Sequence, residues 1–188
     1  DRLVRLDVFR SAELEIGRRL TLDEVIALEL RTVSAPLEEV LAWLLERVRV
    51  RAGFAELVAR HDPLIVSAGL RELIDPVLER EGVTARVIAN HVEARPEGWH
   101  VTFAERPVCA VCGERCKRGA VDGLGPFAYA GDGVSDRCVA LAASRVFARA
   151  GLAAWLDERG IAYEPFEDFV ELAVRLEAGE APRSTLAG

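Results

Sequence analysis

The chain has 188 residues, enough for one domain with a small appended subdomain, and 51% of them are hydrophobic while 29% are charged. Its net charge of -7 argues against a nucleic-acid-binding surface, which is normally basic. No apolar stretch reaches the length of a membrane span and no signal-peptide pattern opens the chain, so we expect a soluble cytoplasmic protein, either a monomer or a homodimer.

The first part of the chain, residues 1–52, is predicted to be helical. Apolar residues recur there at helical spacing, and Thr21 with Glu24 matches a capping box that starts a helix. Pro36 is typical of the first turn of a further helix. We expect these residues to form a small helical cap.

Residues 53–178 are predicted to form an α/β core, and residues 179–188 a loose tail. Short apolar runs alternate with segments of helical periodicity, which is typical of a parallel sheet with helices on both faces. Residues 91–103 alternate in polarity and are predicted to form a β-hairpin. The expected fold is therefore a three-layer, Rossmann-like α/β fold. The predicted strands are 64–66, 85–90, 126–130 and 145–148, and the predicted helices are 53–60, 70–81, 135–143, 152–159 and 166–176.

A serine follows the first predicted strand of this core. Ser67, Ala68 and Gly69 offer a hydroxyl group and two backbone N–H groups where the next helix is expected to begin, a place where phosphate binds well. An ordinary serine N-cap has the same pattern, so the segment alone leaves both interpretations open.

Two aspartates flank the turn after the predicted strand 126–130. Asp132 and Asp136 lie in a Gly-Asp-Gly-x-Ser-Asp segment, whose glycines let the backbone approach a ligand. Hard carboxylate oxygens suit Mg²⁺ better than a softer metal, which makes both aspartates candidate metal ligands. The alternative is an Asp-Gly turn in which Ser135 caps the next helix.

Lys117 is the only lysine, and arginine occupies every other Lys or Arg position of the chain. A lysine retained in such a sequence suggests a need for its compact ammonium group with three donors, which arginine cannot imitate. It is therefore a candidate charge clamp on a phosphate group. The alternative is a solvated lysine on a helix.

Taken together, these segments resemble the haloacid dehalogenase-like phosphatase superfamily, specifically its phosphoserine-phosphatase-like branch and phosphatases of the methionine-salvage type. The shared order is a serine after one strand, a lysine roughly midway, and Gly-Asp-Gly-x-Ser-Asp after the next strand. The resemblance covers residues 53–176 well and the helical front third loosely, as a cap. The matching segments are Ile65–Leu70, Ala89–Asn90, Cys112–Arg118, Tyr129–Cys138, Phe147–Arg149 and Pro165–Phe169.

The resemblance implies a role for each candidate residue. Lys117 and Asp136 are implied as catalytic residues, with Lys117 neutralising charge on the phosphoryl group and Asp136 holding a metal-bound water or orienting Lys117. Ser67 to Gly69, together with Lys117, would bind the phosphoryl oxygens. Asp132 and Asp136 are implied as the magnesium site.

The resemblance also implies the reaction, which is Mg²⁺-dependent hydrolysis of a small phosphorylated metabolite through an aspartyl-phosphate. Such enzymes carry Asp-x-Asp-Gly-Thr on their first strand, and no such segment occurs in residues 1–188. Asp7 is the nearest placement, but it puts Phe9 where the second acid belongs. We therefore expect the nucleophile and first strand upstream of Asp1. The alternative is a non-catalytic or regulatory module that binds a phosphate ligand.

The four cysteines offer another interpretation. Cys109, Cys112, Cys116 and Cys138 can supply four thiolates to structural zinc, but their spacing is not that of a paired zinc ribbon. Free thiols in a reducing compartment are favoured over zinc. A redox dithiol at Cys109 and Cys112 is disfavoured, because the helix that follows a thioredoxin-type motif is not evident.

Overall fold

The computed structural model describes residues 19–179, which form an α/β structure. Its α-helices are α1 (Leu22–Leu30), α2 (Leu37–Arg47), α3 (Phe54–His61), α4 (Arg71–Arg80), α5 (Arg137–Ala140), α6 (Ala150–Asp157) and α7 (Phe169–Ala178). Its strands are β1 (Leu64–Leu70), β2 (Arg86–Glu93), β3 (His100–Thr102), β4 (Ala128–Gly131), β5 (Arg145–Ala148) and β6 (Glu164–Pro165). Two 3-10 helices span Lys117–Ala120 and Val134–Asp136. None of the helices in this range has both the length and the apolar character needed to cross a membrane.

The described residues form two compact units, and the first comprises residues 19–49 together with Leu64–Glu105. Its sheet has the order β1-β2-β3, in which β1 runs parallel to β2 and β3 runs antiparallel to β2. Helix α4 connects the two parallel strands. This unit therefore combines a parallel crossover with a hairpin.

The front helices belong to this first unit, so the observed division differs from the predicted boundary at residue 52. The backbone N–H of Trp99, just before β3, donates to the carbonyl oxygens of Leu30 (3.0 Å) and Val33 (3.1 Å) at the end of α1. The buried indole N–H of Trp99 also donates to the carbonyl oxygen of Ala35 (2.8 Å). These bonds join the hairpin to the front helices.

Strand β1 is longer than predicted and contains a bulge. Its pairing with β2 is regular up to Val66 opposite Ile88, then resumes only at Leu70 opposite Asn90. Four positions along β1 thus face two along β2, and residues 67–69 form the bulge. The predicted strand end at Val66 was wrong, because β1 continues to Leu70, and the open alternative of a serine N-cap is not observed, because α4 begins only at Arg71.

The second unit comprises Val50–Pro63 and residues 106–179. Its sheet has the order β4-β5-β6 and all three strands are parallel. One apolar cluster joins β5 to α3 and α7, and a second joins β5 to α5 and α6. The first cluster contains Leu57, Phe147, Phe166, Leu172 and Ala173. The second contains Ala140, Val146, Ala148, Leu152 and Leu156.

The predicted α/β class is confirmed, and strand 145–148 has the predicted bounds. The helix predicted over 135–143 is only α5, preceded by a 3-10 turn. It ends early because the chain turns so that the backbone N–H (2.9 Å) and hydroxyl (2.8 Å) of Ser144 reach the carbonyl oxygen of Phe127. Asp7 and the predicted loose tail from residue 180 lie outside the described residues.

Candidate active site

The turn after β4 is built around the buried carboxylate of Asp136, whose residue is only 2% exposed. Its Oδ1 accepts hydrogen bonds from Lys117 Nζ (2.5 Å) and Tyr129 OH (2.6 Å). Its Oδ2 accepts hydrogen bonds from the backbone N–H groups of Asp132 and Gly133, both at 2.8 Å. Four donors therefore converge on one carboxylate, which satisfies the acceptor sites of a buried charge.

The predicted alternative of a solvated helix lysine does not describe Lys117. Its side chain is 12% exposed, it begins the 3-10 helix Lys117–Ala120, and it forms an ion pair with Asp136. An ammonium group carries three N–H donors, and this bond to Asp136 Oδ1 uses one of them. At this position the chain has a compact, buried ammonium group, whereas its other Lys or Arg positions are all arginine.

The ionisation of Asp136 follows from these contacts. Burial by itself raises the pKa of a carboxyl group, but the charge of Lys117 and the hydrogen bonds from Lys117, Tyr129 and Gly133 outweigh burial, so the pKa of Asp136 is lowered. Burial and the neighbouring Asp136 charge raise the pKa of Tyr129, which keeps its phenol protonated as a donor. Asp136 is thus a carboxylate at neutral pH.

Gly131 allows this arrangement by leaving space for Asp136. A Cβ atom on Gly131 would lie 2.7 Å from Asp136 Cγ, closer than side-chain atoms approach each other. At Gly133 the nearest atom, Asp136 Oδ2, would be 3.9 Å from an added Cβ, which is an ordinary contact distance. The first glycine of the segment is therefore required by packing, whereas the second has room for a side chain.

Asp132 is held by its backbone while its side chain is exposed. Its N–H donates to Asp136, and its carbonyl oxygen accepts the N–H of Leu152 (3.0 Å) near the start of α6. The carboxylate thus follows the carboxyl end of β4, where ligands of parallel α/β sheets bind. Its hard, exposed oxygens have the chemistry of a magnesium ligand.

Asp136 was predicted to share the magnesium site with Asp132, or else to orient Lys117. Because each of its oxygens already accepts two hydrogen bonds, its observed contacts are those of the orienting role. Its role as a metal ligand stays a prediction.

Ser67, Ala68 and Gly69 belong to the first unit, where they form the bulge of β1. Ser67 Oγ accepts the backbone N–H of Gly69 (3.0 Å). The fully buried Asn90 donates from Nδ2 to the carbonyl oxygen of Ala68 (2.9 Å) and accepts the N–H of Ala104 (3.1 Å) at Oδ1. A buried amide thus fixes the backbone that carries Ser67.

Sequence reasoning assigned no role to Tyr129 or Asn90. Each is a polar residue inside an apolar strand, and a buried polar group requires a hydrogen-bond partner. Tyr129 supports Asp136, and Asn90 supports the Ser67 bulge. Their placement within strands was the signal available in the sequence.

The model of the family "HAD: haloacid dehalogenase-like hydrolase" matches residues 2–141. The chain belongs to this haloacid dehalogenase-like family. The match includes the bulge at Ser67, Lys117 and the Gly131–Asp136 turn, so each candidate site residue lies within it.

Curated relatives of this haloacid dehalogenase-like chain include proteins named 2-hydroxy-3-keto-5-methylthiopentenyl-1-phosphate phosphatase. The one from Exiguobacterium sp. is 28% identical over 144 residues, which are 70% of this chain and 66% of the relative. The one from Bacillus velezensis is 28% identical over 151 residues, 74% of this chain and 64% of the relative. The chain therefore spans slightly less than two thirds of these two relatives. The one from Geobacillus kaustophilus is 27% identical over 177 residues, 88% of this chain and 80% of the relative.

Solved structures of similar fold include two phosphoserine phosphatases. The enzyme from T. onnurineus has a TM-score of 0.63 at 15% identity, covering 91% of this chain and 81% of that chain. The probable phosphoserine phosphatase from Vibrio cholerae has a TM-score of 0.58 at 14% identity, covering 94% of this chain and 59% of that chain. The likeness shows the fold, and the predicted membership of the haloacid dehalogenase-like family is confirmed by the family model.

Proposed function

We propose that the chain is part of a Mg²⁺-dependent phosphomonoesterase that hydrolyses a small phosphorylated metabolite through an aspartyl-phosphate. The observation that carries the proposal is the buried ion pair of Lys117 and Asp136, which supports the turn bearing the exposed Asp132. Membership of the haloacid dehalogenase-like family and the phosphatase names of three relatives support it.

Lys117 is proposed to act directly on the phosphoryl group. Its bond to Asp136 fixes the ammonium group and leaves two N–H donors, which suit the oxygens that gain negative charge in the transition state. We propose that Asp136 positions Lys117 and the backbone of Asp132 and does not itself contact the substrate. Tyr129 then acts through Asp136 as a further positioning residue.

The donor set fits magnesium at Asp132, where an exposed carboxylate offers hard oxygen ligands at the end of β4. We propose that the other protein ligands come from the Asp-x-Asp segment that the family resemblance implies and that residues 1–188 do not contain. Magnesium, when bound, supplies positive charge that allows a carboxylate to approach an anionic phosphate ester. Thiol sulfur plays no part in such a site, because Mg²⁺ prefers oxygen.

Ser67 is proposed to bind a phosphoryl oxygen through its hydroxyl group. Because Ser67 Oγ accepts the N–H of Gly69, the hydroxyl proton is available to donate to a ligand. The neighbouring amides of Ala68 and Gly69 are proposed as further elements of the phosphate site, with their backbone held by Asn90.

In the proposed reaction the first aspartate of that implied segment attacks phosphorus, the ester P–O bond breaks, and the leaving alcohol takes its proton from the second acid of the segment. Water then attacks the aspartyl-phosphate, which releases inorganic phosphate and restores the carboxylate. The first substrate to test is 2-hydroxy-3-keto-5-methylthiopentenyl 1-phosphate, the compound in the names of the relatives. We also propose a cytoplasmic location for the enzyme, because free thiols are typical of proteins in a reducing compartment.

The test compares Lys117→Ala and Lys117→Arg with Arg115→Ala in the natural full-length protein, using phosphate release in the presence of Mg²⁺. Removing one oriented charge donor is expected to lower kcat/KM by about 100-fold or more. Arginine should not restore the rate, because its guanidinium does not fit the site of a compact ammonium. The exposed Arg115 lies two residues away, and its replacement should leave the rate unchanged.

The alternative, a non-catalytic binder of phosphate ligands, predicts a different result. The unmodified protein would then bind the phosphorylated compound in a calorimetric titration and release no phosphate with or without Mg²⁺. Equal rates for Lys117→Ala, Arg115→Ala and the unmodified enzyme would reject the assigned role of Lys117.

A further inference from the structure

The second unit brings all four cysteines of the chain together. The Sγ atoms of Cys109, Cys112, Cys116 and Cys138 all lie within 4.8 Å of one another, and all four thiols are free. Three come from the segment before β4, and Cys138 comes from α5. A cluster of this kind has no part in the phosphoryl chemistry proposed above.

The spacing of the sulfur atoms matches a single tetrahedral metal ion. Four thiolates at about 2.3 Å from zinc have S···S separations of about 3.8 Å, the edge of a tetrahedron. Cys109 Sγ and Cys138 Sγ are 3.7 Å apart. The widest separation, 4.8 Å, requires an adjustment of roughly 1 Å, within the reach of a side-chain rotation. A disulfide is not formed at 3.7 Å, because its sulfur atoms must approach to about 2.05 Å.

Backbone hydrogen bonds form a turn over residues 109–114, which places Cys109 and Cys112 close together. Cys109 N–H donates to the carbonyl oxygen of Glu114, and Gly113 N–H donates to the carbonyl oxygen of Cys109, both at 2.9 Å. The N–H of Val111 donates to Cys109 Sγ at 3.4 Å. Gly113 closes this turn with a φ of +74°, which glycine adopts without strain. A turn with an amide directed at sulfur favours a metal-bound thiolate.

The donor set identifies the metal. Four sulfurs without a carboxylate or imidazole suit zinc, whereas Mg²⁺ prefers oxygen. A closed set of four protein ligands is the pattern of structural zinc, because a catalytic ion keeps a position open for water or substrate.

The position of the cluster indicates what such an ion would do. Cys116 is followed directly by Lys117, and Cys138 lies two residues after Asp136. Residues 106–127 contain a single short regular element, the 3-10 helix that starts at Lys117, and that element contacts α5. A long segment with little regular structure gains order from a cross-link to a helix.

We propose that Cys109, Cys112, Cys116 and Cys138 bind one structural zinc ion, which fastens the Lys117 segment to helix α5. The ion joins the two segments that supply the Lys117–Asp136 pair. It therefore acts as a positioning element for Lys117 and takes no part in the magnesium chemistry. The metal site itself stands independently of the proposed reaction.

The first test is elemental analysis of the natural full-length protein, purified under reducing conditions without added metal. We expect about one zinc ion per chain, as for a tight structural site. Replacement of zinc by Co²⁺ should give the intense sulfur-to-cobalt charge-transfer absorption and the visible bands of a tetrahedral tetrathiolate. A chain with four freely alkylated thiols and no bound metal, a chain with disulfides, or a chain that contains iron would each overturn the proposal.

The second test uses Cys112→Ser, which alters an exposed ligand, with Val111→Ala as its control in the same turn. We expect Cys112→Ser to lose most of its zinc at equal chelator concentration, while Val111→Ala keeps it. Hydrogen exchange should then accelerate in residues 106–121 and leave β5 protected. If stripping zinc from the unmodified protein leaves exchange at 106–121 unchanged, the ion does not fasten the Lys117 segment, a result that says nothing against the phosphatase activity.

Discussion

Replacing Lys117 with methionine removes the ammonium group that faces Asp136 and keeps a side chain of similar length. Asp136 is then left as a buried carboxylate, with a side chain 3% exposed, that has lost its countercharge. Removing one partner of a buried ion pair typically destabilises a protein by about 3–5 kcal/mol. Three donors to Asp136 remain, namely Tyr129 and the N–H groups of Asp132 and Gly133, so we expect the lower end of this range, about 3 kcal/mol.

The assay is urea unfolding at pH 7, followed by circular dichroism, for Lys117→Met, Asp136→Asn, the double variant and the control Arg115→Ala. Asparagine keeps the shape of Asp136 without its charge, so the double variant should be more stable than the sum of the single losses predicts, by about 1–3 kcal/mol. Arg115→Ala should change the free energy of unfolding by less than about 0.5 kcal/mol. If Lys117→Met behaves like this surface control, the pair does not contribute as the buried geometry requires.

Three further predictions concern the support of the site. The pKa of Asp136 is below its ordinary value of 3.8 in the folded state, so the folded protein binds fewer protons than the unfolded chain near that pH. The difference in the free energy of unfolding between the unmodified protein and Asp136→Asn should therefore be largest above about pH 5 and should shrink as the pH falls through the depressed pKa. Denaturation curves from pH 3 to pH 7 measure this difference, and a value that does not change with pH would contradict the prediction. Gly131→Ala places a Cβ atom against Asp136 and should destabilise the protein by about 1–3 kcal/mol, which a lower melting temperature would show. Gly133→Ala has room for its Cβ atom and should change the melting temperature little. Equal effects of the two variants would refute the packing argument. Asn90→Ala leaves the carbonyl oxygen of Ala68 without its buried donor and should destabilise the first unit by about 1–3 kcal/mol. Unfolding experiments compare it with the exposed control His100→Ala. A loss of stability no larger than that of the control would show that the Asn90 amide does not hold the bulge.

Lys117 and Asp136 could be predicted as candidate site residues because each has an unusual sequence context. Lys117 is the single lysine of the chain, and Asp136 ends a Gly-Asp-Gly-x-Ser-Asp segment. Their direct contact across 19 positions follows only from the folded backbone. The same holds for Tyr129: its position in an otherwise apolar strand is visible in the sequence, but the hydrogen bond from its hydroxyl group to Asp136 is not.

The bulge at Ser67 was not predicted because its cause is remote in sequence. Serine before a helical pattern favours an N-cap locally. The observed bulge depends on Asn90, which lies 22 residues later and holds the carbonyl oxygen of Ala68. Local propensity contains no information on such a contact, so the strand was predicted to end at Val66 and not at Leu70.

The proximity of all four cysteines was not predicted, for a related reason. The short spacing of Cys109, Cys112 and Cys116 is visible in the sequence, but it does not match a paired ribbon. Cys138 joins them because α5 begins directly after the Asp136 turn and brings its thiol to 3.7 Å from Cys109. The fourth ligand is therefore a product of the fold.

The most direct test of the central claim is the rate of inorganic phosphate release from 2-hydroxy-3-keto-5-methylthiopentenyl 1-phosphate by the natural full-length protein, with and without Mg²⁺, for the unmodified enzyme and Asp132→Asn. We predict turnover that depends on Mg²⁺, and a rate for Asp132→Asn at least about 100-fold lower that rises in part at high Mg²⁺ concentration. A protein that binds phosphorylated metabolites but releases no phosphate from this compound or from other small phosphate esters would contradict the claim.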